Sequence, residues 1–210
     1  MTNKPKLNML ATLRRLLLLS AGAIALSSPV MAQVGADLQK TLSQATAAYD
    51  RADYPNASRW LHLAAEQGDA GAQFFLGFMY DFDEGVSHNY MEAVRWARLA
   101  AEQGDAEAQF SLGLVYDSGQ GVTQNYVESA RWYRLAAEQG DAFAQGMLGF
   151  KYALGKGVPQ NYIEGYKWLS LAAAQGDGNA AKGRDLVRGE MTPAEIAVGQ
   201  RLLAAWRAKR

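Results

Sequence analysis

The sequence predicts an all-α fold, a right-handed superhelical solenoid of tandem helix–loop–helix units, and three observations predict it. The block Ala-Ala-Glu-Gln-Gly-Asp-Ala occurs at residues 64–70, 100–106 and 136–142, always 36 residues apart, and Ala172, Ala173, Gln175, Gly176 and Asp177 echo it. Trp60, Trp96, Trp132 and Trp168 keep the same period, as do Tyr54, Tyr90, Tyr126 and Tyr162. Within one period the apolar residues recur at helical spacing. A period of this length means stacked copies of one small unit, none of which can bury its apolar face alone. About nine helices are expected once a leader is removed.

Residues 1–32 read as a cleavable leader. Lys4, Lys6, Arg14 and Arg15 precede an apolar run from Leu16 to Leu26 that is too short to span a bilayer. Val30-Met31-Ala32 supplies small residues at the cleavage positions, so cleavage is expected after Ala32. Arg14-Arg15 stands without the rest of a twin-arginine motif, which favours general secretion. The whole chain has 21 basic and 21 acidic residues; the leader holds four basic and no acidic ones, so the remainder carries a net charge of −4. That balance argues against nucleic-acid binding, which needs a basic face. No second apolar run follows, so no membrane insertion is expected after cleavage. The absence of cysteine rules out a lipid-modified N-terminal cysteine and disulfides. A periplasmic or secreted address is the expectation.

Residues 33–68 should form an N-terminal helix pair, joined by the short connection Tyr49-Asp50-Arg51-Ala52-Asp53-Tyr54. The first full copy spans 69–104. Gly68 stops the preceding helix and Asp69 caps the next. Ala72, Leu76 and Tyr80 then predict a helix over 70–82. Gly85 ends the following stretch, and Asn89 with Glu92 has the spacing of a capping box, returning as Asn125 with Glu128 and Asn161 with Glu164. Tyr90, Ala93, Ala97 and Ala100, with Trp96 beside them, give the second helix its buried side. Copies two and three span 105–140 and 141–176. Identical residues at identical offsets serve the shared packing. Trp60, Trp96, Trp132 and Trp168 are therefore read as core, with Tyr80, Tyr116 and Tyr152, and Gly77, Gly113 and Gly149 as close-approach positions.

The pattern breaks after Gly176. Asn179-Ala180-Ala181 begins like a first helix, but Lys182, Arg184, Asp185 and Arg188 replace its apolar positions. Thr192-Pro193-Ala194-Glu195 then opens a last helix with a cap, a proline and a box glutamate. Ile196, Gly199, Leu203 and Trp206 share one of its faces, and Arg201, Arg207, Lys209 and Arg210 crowd its C-terminal half. Residues 177–210 are read as capping helices with a polar outer side.

The motif Ala-x-Ala-Gln-x-x-Leu-Gly-x-x-Tyr, then Gly-x-Gly-Val, then Asn-Tyr-x-x-Ala-x-x-Trp, then Leu-Ala-Ala-x-x-Gly resembles the Sel-1-like repeat, a relative of the tetratricopeptide repeat. Residues 105–140 carry it almost whole, with Ser129 at the small alanine position. Residues 69–104 have Asp83 in place of the loop's first glycine, and residues 141–176 depart at Gly165 and Ala174. The resemblance implies a protein-binding scaffold. Exported members commonly serve as adaptors in envelope biogenesis, polysaccharide regulation, signalling or host contact.

Little in the sequence points to catalysis, and no cofactor is called for. His62 shares its column with Arg98, Arg134 and Ser170, which reads as an exposed helix position; His88 shares its own with Gln124 and Gln160. Neither has a nucleophile or a second ligand at a useful spacing. Asp81, Asp83 and Glu84 hint at a calcium loop, but the glycine comes early and the distal glutamate is missing, leaving a solvated loop tip. An envelope-directed hydrolase and a self-assembling structural protein remain as alternatives.

Binding should lie in the columns that vary. With Ala72, Leu76 and Tyr80 facing inward, the opposite face of the first helices carries Gly71, Phe74, Phe78, Asp81 and Phe82 in copy one. Copy two supplies Glu107, Phe110, Leu114, Asp117 and Ser118, and copy three Phe143, Gly146, Phe150, Ala153 and Leu154. The pattern is an apolar strip with an acidic margin, suited to a protein or peptide partner of basic character.

Overall fold

In the computed structural model, residues 29–208 are described, and they form ten helices without a strand. In chain order these are α1 Pro29–Asp50, α2 Tyr54–Glu66, α3 Ala70–Phe82, α4 Tyr90–Glu102, α5 Ala106–Ser118, α6 Tyr126–Gln139, α7 Ala142–Leu154, α8 Tyr162–Ala174, α9 Gly178–Gly189 and α10 Pro193–Ala208. The count is one more than the nine expected. The leader reading concerns residues 1–32, of which 1–28 lie outside the described residues; α1 begins at Pro29.

The aspartate caps explain the regularity of the odd-numbered helices. The carboxylates of Asp69, Asp105, Asp141 and Asp177 accept from the backbone N–H three residues on, at 2.7, 2.7, 2.6 and 3.0 Å. Each such cap contributes about 1 kcal/mol. Gly68, Gly104, Gly140 and Gly176 precede them with φ of 91° to 103°, a conformation that glycine alone adopts freely.

The asparagine caps work differently from the expected capping box. Asn89, Asn125 and Asn161 accept from the following helix's first turn. Their own N–H groups, however, donate to the carbonyls of Tyr80, Tyr116 and Tyr152 at 2.9–3.0 Å. The glutamates are thereby released: Glu92 pairs with Arg95, Glu128 with Arg131, and Glu164 with both Lys167 and the Trp168 indole. A complete box forms only at Thr192 and Glu195 among these sites, with Thr192 N–H on the Glu195 carboxylate at 2.8 Å.

Asp83 stands where the other copies have Gly119 and Gly155, and it takes the same left-handed backbone, with φ of 57°. Two residues later Gly85 and Gly157 do something glycine-specific. A Cβ on Gly85 would lie 2.2 Å from the Tyr54 carbonyl oxygen, and one on Gly157 would lie 2.0 Å from that of Tyr126. The loop thus presses its backbone onto the start of the preceding second helix.

The described residues form two compact units, divided between Gln103 and Gly104. In the first, α1 packs on α2, α2 on α3 and α3 on α4, around Leu42, Tyr49, Leu61, Phe75, Leu76, Met79 and Trp96. In the second, α5 to α9 pack in succession and α10 lies on α8. Its cores gather Tyr133, Leu148 and Trp168, then Tyr166, Leu169 and Val187. Buried glutamines tie the helices within each unit. Gln145 donates to the Ala137 carbonyl at 3.1 Å and accepts from Gln175 at 2.9 Å; Gln73 does the same between Ala65 and Gln103.

Candidate protein-docking surface

Trp96, Trp132 and Trp168 are buried, whereas Trp60, in the N-terminal pair, is only half-buried. The indole N–H groups of Trp96 and Trp132 lack a partner, while that of Trp168 donates to Glu164 at 3.0 Å. Gly77, Gly113 and Gly149 sit against the facing helix, where a Cβ would meet the Ala93 carbonyl at 2.9 Å, the Tyr133 ring at 2.5 Å and Leu169 at 2.7 Å. Tyr80, Tyr116 and Tyr152 are half-buried rather than core. Their rings seal the edge while a hydroxyl reaches outward: Tyr80 meets the His62 ring nitrogen at 3.3 Å, and Tyr152 accepts from Arg134 at 2.5 Å.

His62 is accordingly half-buried, not exposed. It lies edge-on to Tyr80 and to Trp96, with centroids 6.0 and 5.8 Å away. Ser170, in the same column, is buried and donates to the Tyr166 carbonyl at 2.6 Å. His88 is exposed and stacks its edge on Tyr90 at 4.2 Å.

The acidic loop is not uniformly solvated. Glu84 is buried and accepts the Tyr49 hydroxyl at 2.7 Å, bolting the loop to α1. Burial first, and the hydrogen bond to Glu84 next, push the Tyr49 phenol well above its ordinary range. Asp83 accepts the His88 N–H at 3.1 Å. Partial burial raises the Asp81 carboxyl, and His88 acts in the other direction. Among the described residues no group of His, Cys, Asp or Glu could hold a metal ion, and no helix is long and apolar enough to cross a membrane.

The phenylalanine strip survives in part. In the first unit, Phe74 and Phe78 are half-buried and pack on the core beneath, because a stripe wide enough to anchor α3 needs them. Phe82 is 56% exposed and stacks on Phe78 with centroids 4.1 Å apart. Gly71 is buried. In the second unit, Glu107 and Ser118 are exposed, Leu114 is 41% exposed, and Phe143 is 65% exposed. Phe110 is half-buried between Tyr133 and Phe143, at 5.8 and 6.0 Å.

Copy three departs most from the expected strip. Gly146 and Ala153 are buried, and Phe150 is half-buried under α9, where a Cβ on Gly183 would strike its ring at 2.5 Å. The closing pair covers this face, which is why the strip ends there. Leu154 stays exposed.

Asp117 is not part of an acidic margin. Its Oδ1 receives Lys151 Nζ at 2.5 Å and the Ser129 hydroxyl at 3.4 Å. Lys151 is 4% exposed and lies 5.1 and 5.6 Å from the ring centroids of Tyr126 and Tyr133. The Tyr133 hydroxyl is buried without a hydrogen bond of ordinary geometry. Burial and the Asp117 charge push this phenol upward, and Ser129 opposes them. Copy one places Met79 where Lys151 stands, and copy three places Ala153 where Asp117 stands. Sequence reasoning missed this cluster. Two simultaneous departures from the repeat, Lys151 and Ser129, were the available signal.

An open depression of about 510 Å³ in the second unit is lined by Arg134, Glu138, Tyr152, Asn161, Glu164 and Trp168, among others. Tyrosine, asparagine, glutamate and tryptophan recur there at the 36-residue spacing, so packing of the repeats accounts for it. The surfaces that distinguish one copy from another are instead Phe82 with Phe78, and Phe143 with Phe110 and Leu114. Exposed apolar rings of this kind mark candidate docking surfaces.

The Sel1 repeat profile matches residues 49–69, 70–105, 106–141 and 142–177. Among solved structures, a Sel1 repeat protein from Oxalobacter formigenes is 39% identical, with a TM-score of 0.64 over 68% of this chain and 58% of that one. The protein c5321 of uropathogenic Escherichia coli, a protective antigen with an SLR fold, is 29% identical, with a TM-score of 0.69 over 94% of this chain and 45% of that one. The chain therefore spans about half the length of these two proteins. A comparison with curated protein sequences finds no match. With the repeat profile covering more than half of its residues, this chain belongs to the Sel1 repeat family, a family of protein-interaction scaffolds.

Proposed function

We propose that this protein is an exported adaptor that binds an envelope protein through the first-helix faces of its repeats. The observation that carries the reading is the exposure of Phe82 and Phe143, large rings that a purely structural solenoid would cover. Each stands beside a second ring that holds it in place, Phe78 at 4.1 Å and Phe110 at 6.0 Å, so little freedom is lost on binding. Export rests on the basic and apolar pattern of residues 4–26 and the small residues before Gln33. That a solved relative is a protective antigen accords with such an address.

The test is crosslinked affinity capture of the chain as its own cell processes it, beside a Phe82→Glu, Phe143→Glu variant whose melting matches wild type. Envelope proteins captured by wild type and lost by the variant are expected. Identical captures from both would discard these faces as the binding surface. N-terminal sequencing of the same material should begin at Gln33, and an intact Met1 would overturn the export reading.

A further inference from the structure

Charge is strongly segregated along the chain. Residues 33–141 hold 7 basic and 16 acidic side chains, whereas residues 142–210 hold 10 basic and 5 acidic ones. The basic part also exposes an apolar patch where a closing unit should be polar. α7 and α9 run side by side in the same sense: a Cβ on Gly146 would meet Ala180 at 3.9 Å, and one on Gly183 would meet Phe150. One turn beyond that contact, Leu154 and Leu186 are 72% and 75% exposed. Lys182 and Arg188 flank Leu186 on α9, both exposed and outside any ion pair among the described residues. The acidic part offers a counterpart, since Phe82 stands exposed on Phe78 with Asp81 before it and Asp83 after it.

We infer that the Leu154 and Leu186 patch of one copy docks on the Phe78 and Phe82 stack of a second copy, with Lys182 and Arg188 facing Asp81 and Asp83. This rests on the reading of Phe82 as a docking surface and gives that surface a second copy of the chain as a further occupant. Apolar contact supplies the attraction, and opposite charge supplies orientation and suppresses like-with-like pairing. The two patches differ, so the contact is heterologous. Each dimer keeps one free patch of either kind, and association continues unless the geometry closes a ring.

Sedimentation velocity over a concentration series tests this, at ~50 and ~500 mM NaCl, since surface charge pairs are screened at the higher salt. The purified chain should grow in mass with concentration and associate about tenfold more weakly at high salt. Leu186→Glu and Phe82→Glu, each checked for an unchanged melt, should be monomeric alone. Their equimolar mixture should form a dimer and stop there, because one productive pair of patches survives.

A monomeric wild type overturns the inference and leaves the Phe82 surface to be judged by partner capture. Association that survives Leu186→Glu, or a mixture that stays monomeric, overturns it equally. Loss of foreign-partner capture in Phe82→Glu but not in Leu186→Glu would separate the docking surface from self-association.

Discussion

Asp117→Ala removes the sole anionic partner, among the described residues, of a lysine that has almost no access to water. Lys151 is 4% exposed, 2.5 Å from the Asp117 carboxylate, and otherwise faces the rings of Tyr126 and Tyr133. Stripping a buried charge of its partner costs about 3–5 kcal/mol, and two ring faces return roughly 1 kcal/mol, so a loss of about 2–4 kcal/mol is expected. Lys151→Met should do less harm. It installs the residue that copy one has at Met79, and it strands only a carboxylate that is 23% exposed and keeps the Ser129 hydroxyl. A loss of about 1 kcal/mol is expected there. The double variant, with the alanine of copy three and the methionine of copy one, should return to within about 1 kcal/mol of wild type. Urea denaturation followed by circular dichroism gives all four corners of the cycle, provided the slopes agree. Asp117→Ala costing under ~1 kcal/mol, with no coupling to Lys151→Met, would show that the ammonium is hydrated and the enclosure argued from its burial is wrong.

Two further perturbations probe the repeat itself. Gly157→Ala puts a methyl against the Tyr126 carbonyl at 2.0 Å, whereas Gly68→Ala, at a similar positive φ, meets nothing within 4 Å. The first should cost more than 3 kcal/mol and the second about 1–2 kcal/mol in the same urea assay; equal losses would refute the close-approach role of the loop glycine. Asp141 caps α7 while burial raises its carboxyl pKa. A raised folded pKa means that the folded state binds the proton more tightly, so this group's contribution falls as pH rises through the carboxyl range. Asp141→Asn keeps the cap and removes that penalty. Its stability relative to wild type should therefore rise between pH 3.5 and pH 7, both approximate end points, and a relative fall would reverse the assignment.

Helix boundaries were legible because their causes are local. Asp69 and Gly68 fix the start of α3 by capping and by left-handed backbone, and the spacing of Ala72, Leu76 and Tyr80 carries it to Phe82. The glutamate half of the capping box was misread for the same kind of reason inverted. Its N–H partner is the Tyr80 carbonyl nine residues upstream, and a loop that returns the chain to its own helix is invisible to a three-residue rule. Phe74 and Phe78 were placed outside because helical periodicity assigns one inward stripe, whereas a helix held between neighbours buries a wider one.

The candidate surface shows a deeper limit of reasoning from repeats. Columns that stay constant hold the frame, and columns that vary were taken as the binding surface. Yet variation has two physical sources. Phe82, Ser118 and Leu154 vary because each faces solvent, where the fold asks little of a side chain's size or polarity. Lys151 varies because it answers Asp117, which matches Asp81 of copy one: a lysine can stand at the core position of Met79 where an aspartate comes within 2.5 Å, and that aspartate is then engaged in an internal ion pair. Their separation of 34 residues is two short of the period, so aligning the copies splits the pair into unrelated columns. Exposure tells the two sources apart. It retains Phe82 and Phe143, leaves Asp117 half-buried in its ion pair, and adds Leu186, which lies outside the repeats and stands in no column at all. A binding surface on such a scaffold is therefore the set of varying positions that the fold leaves open to solvent.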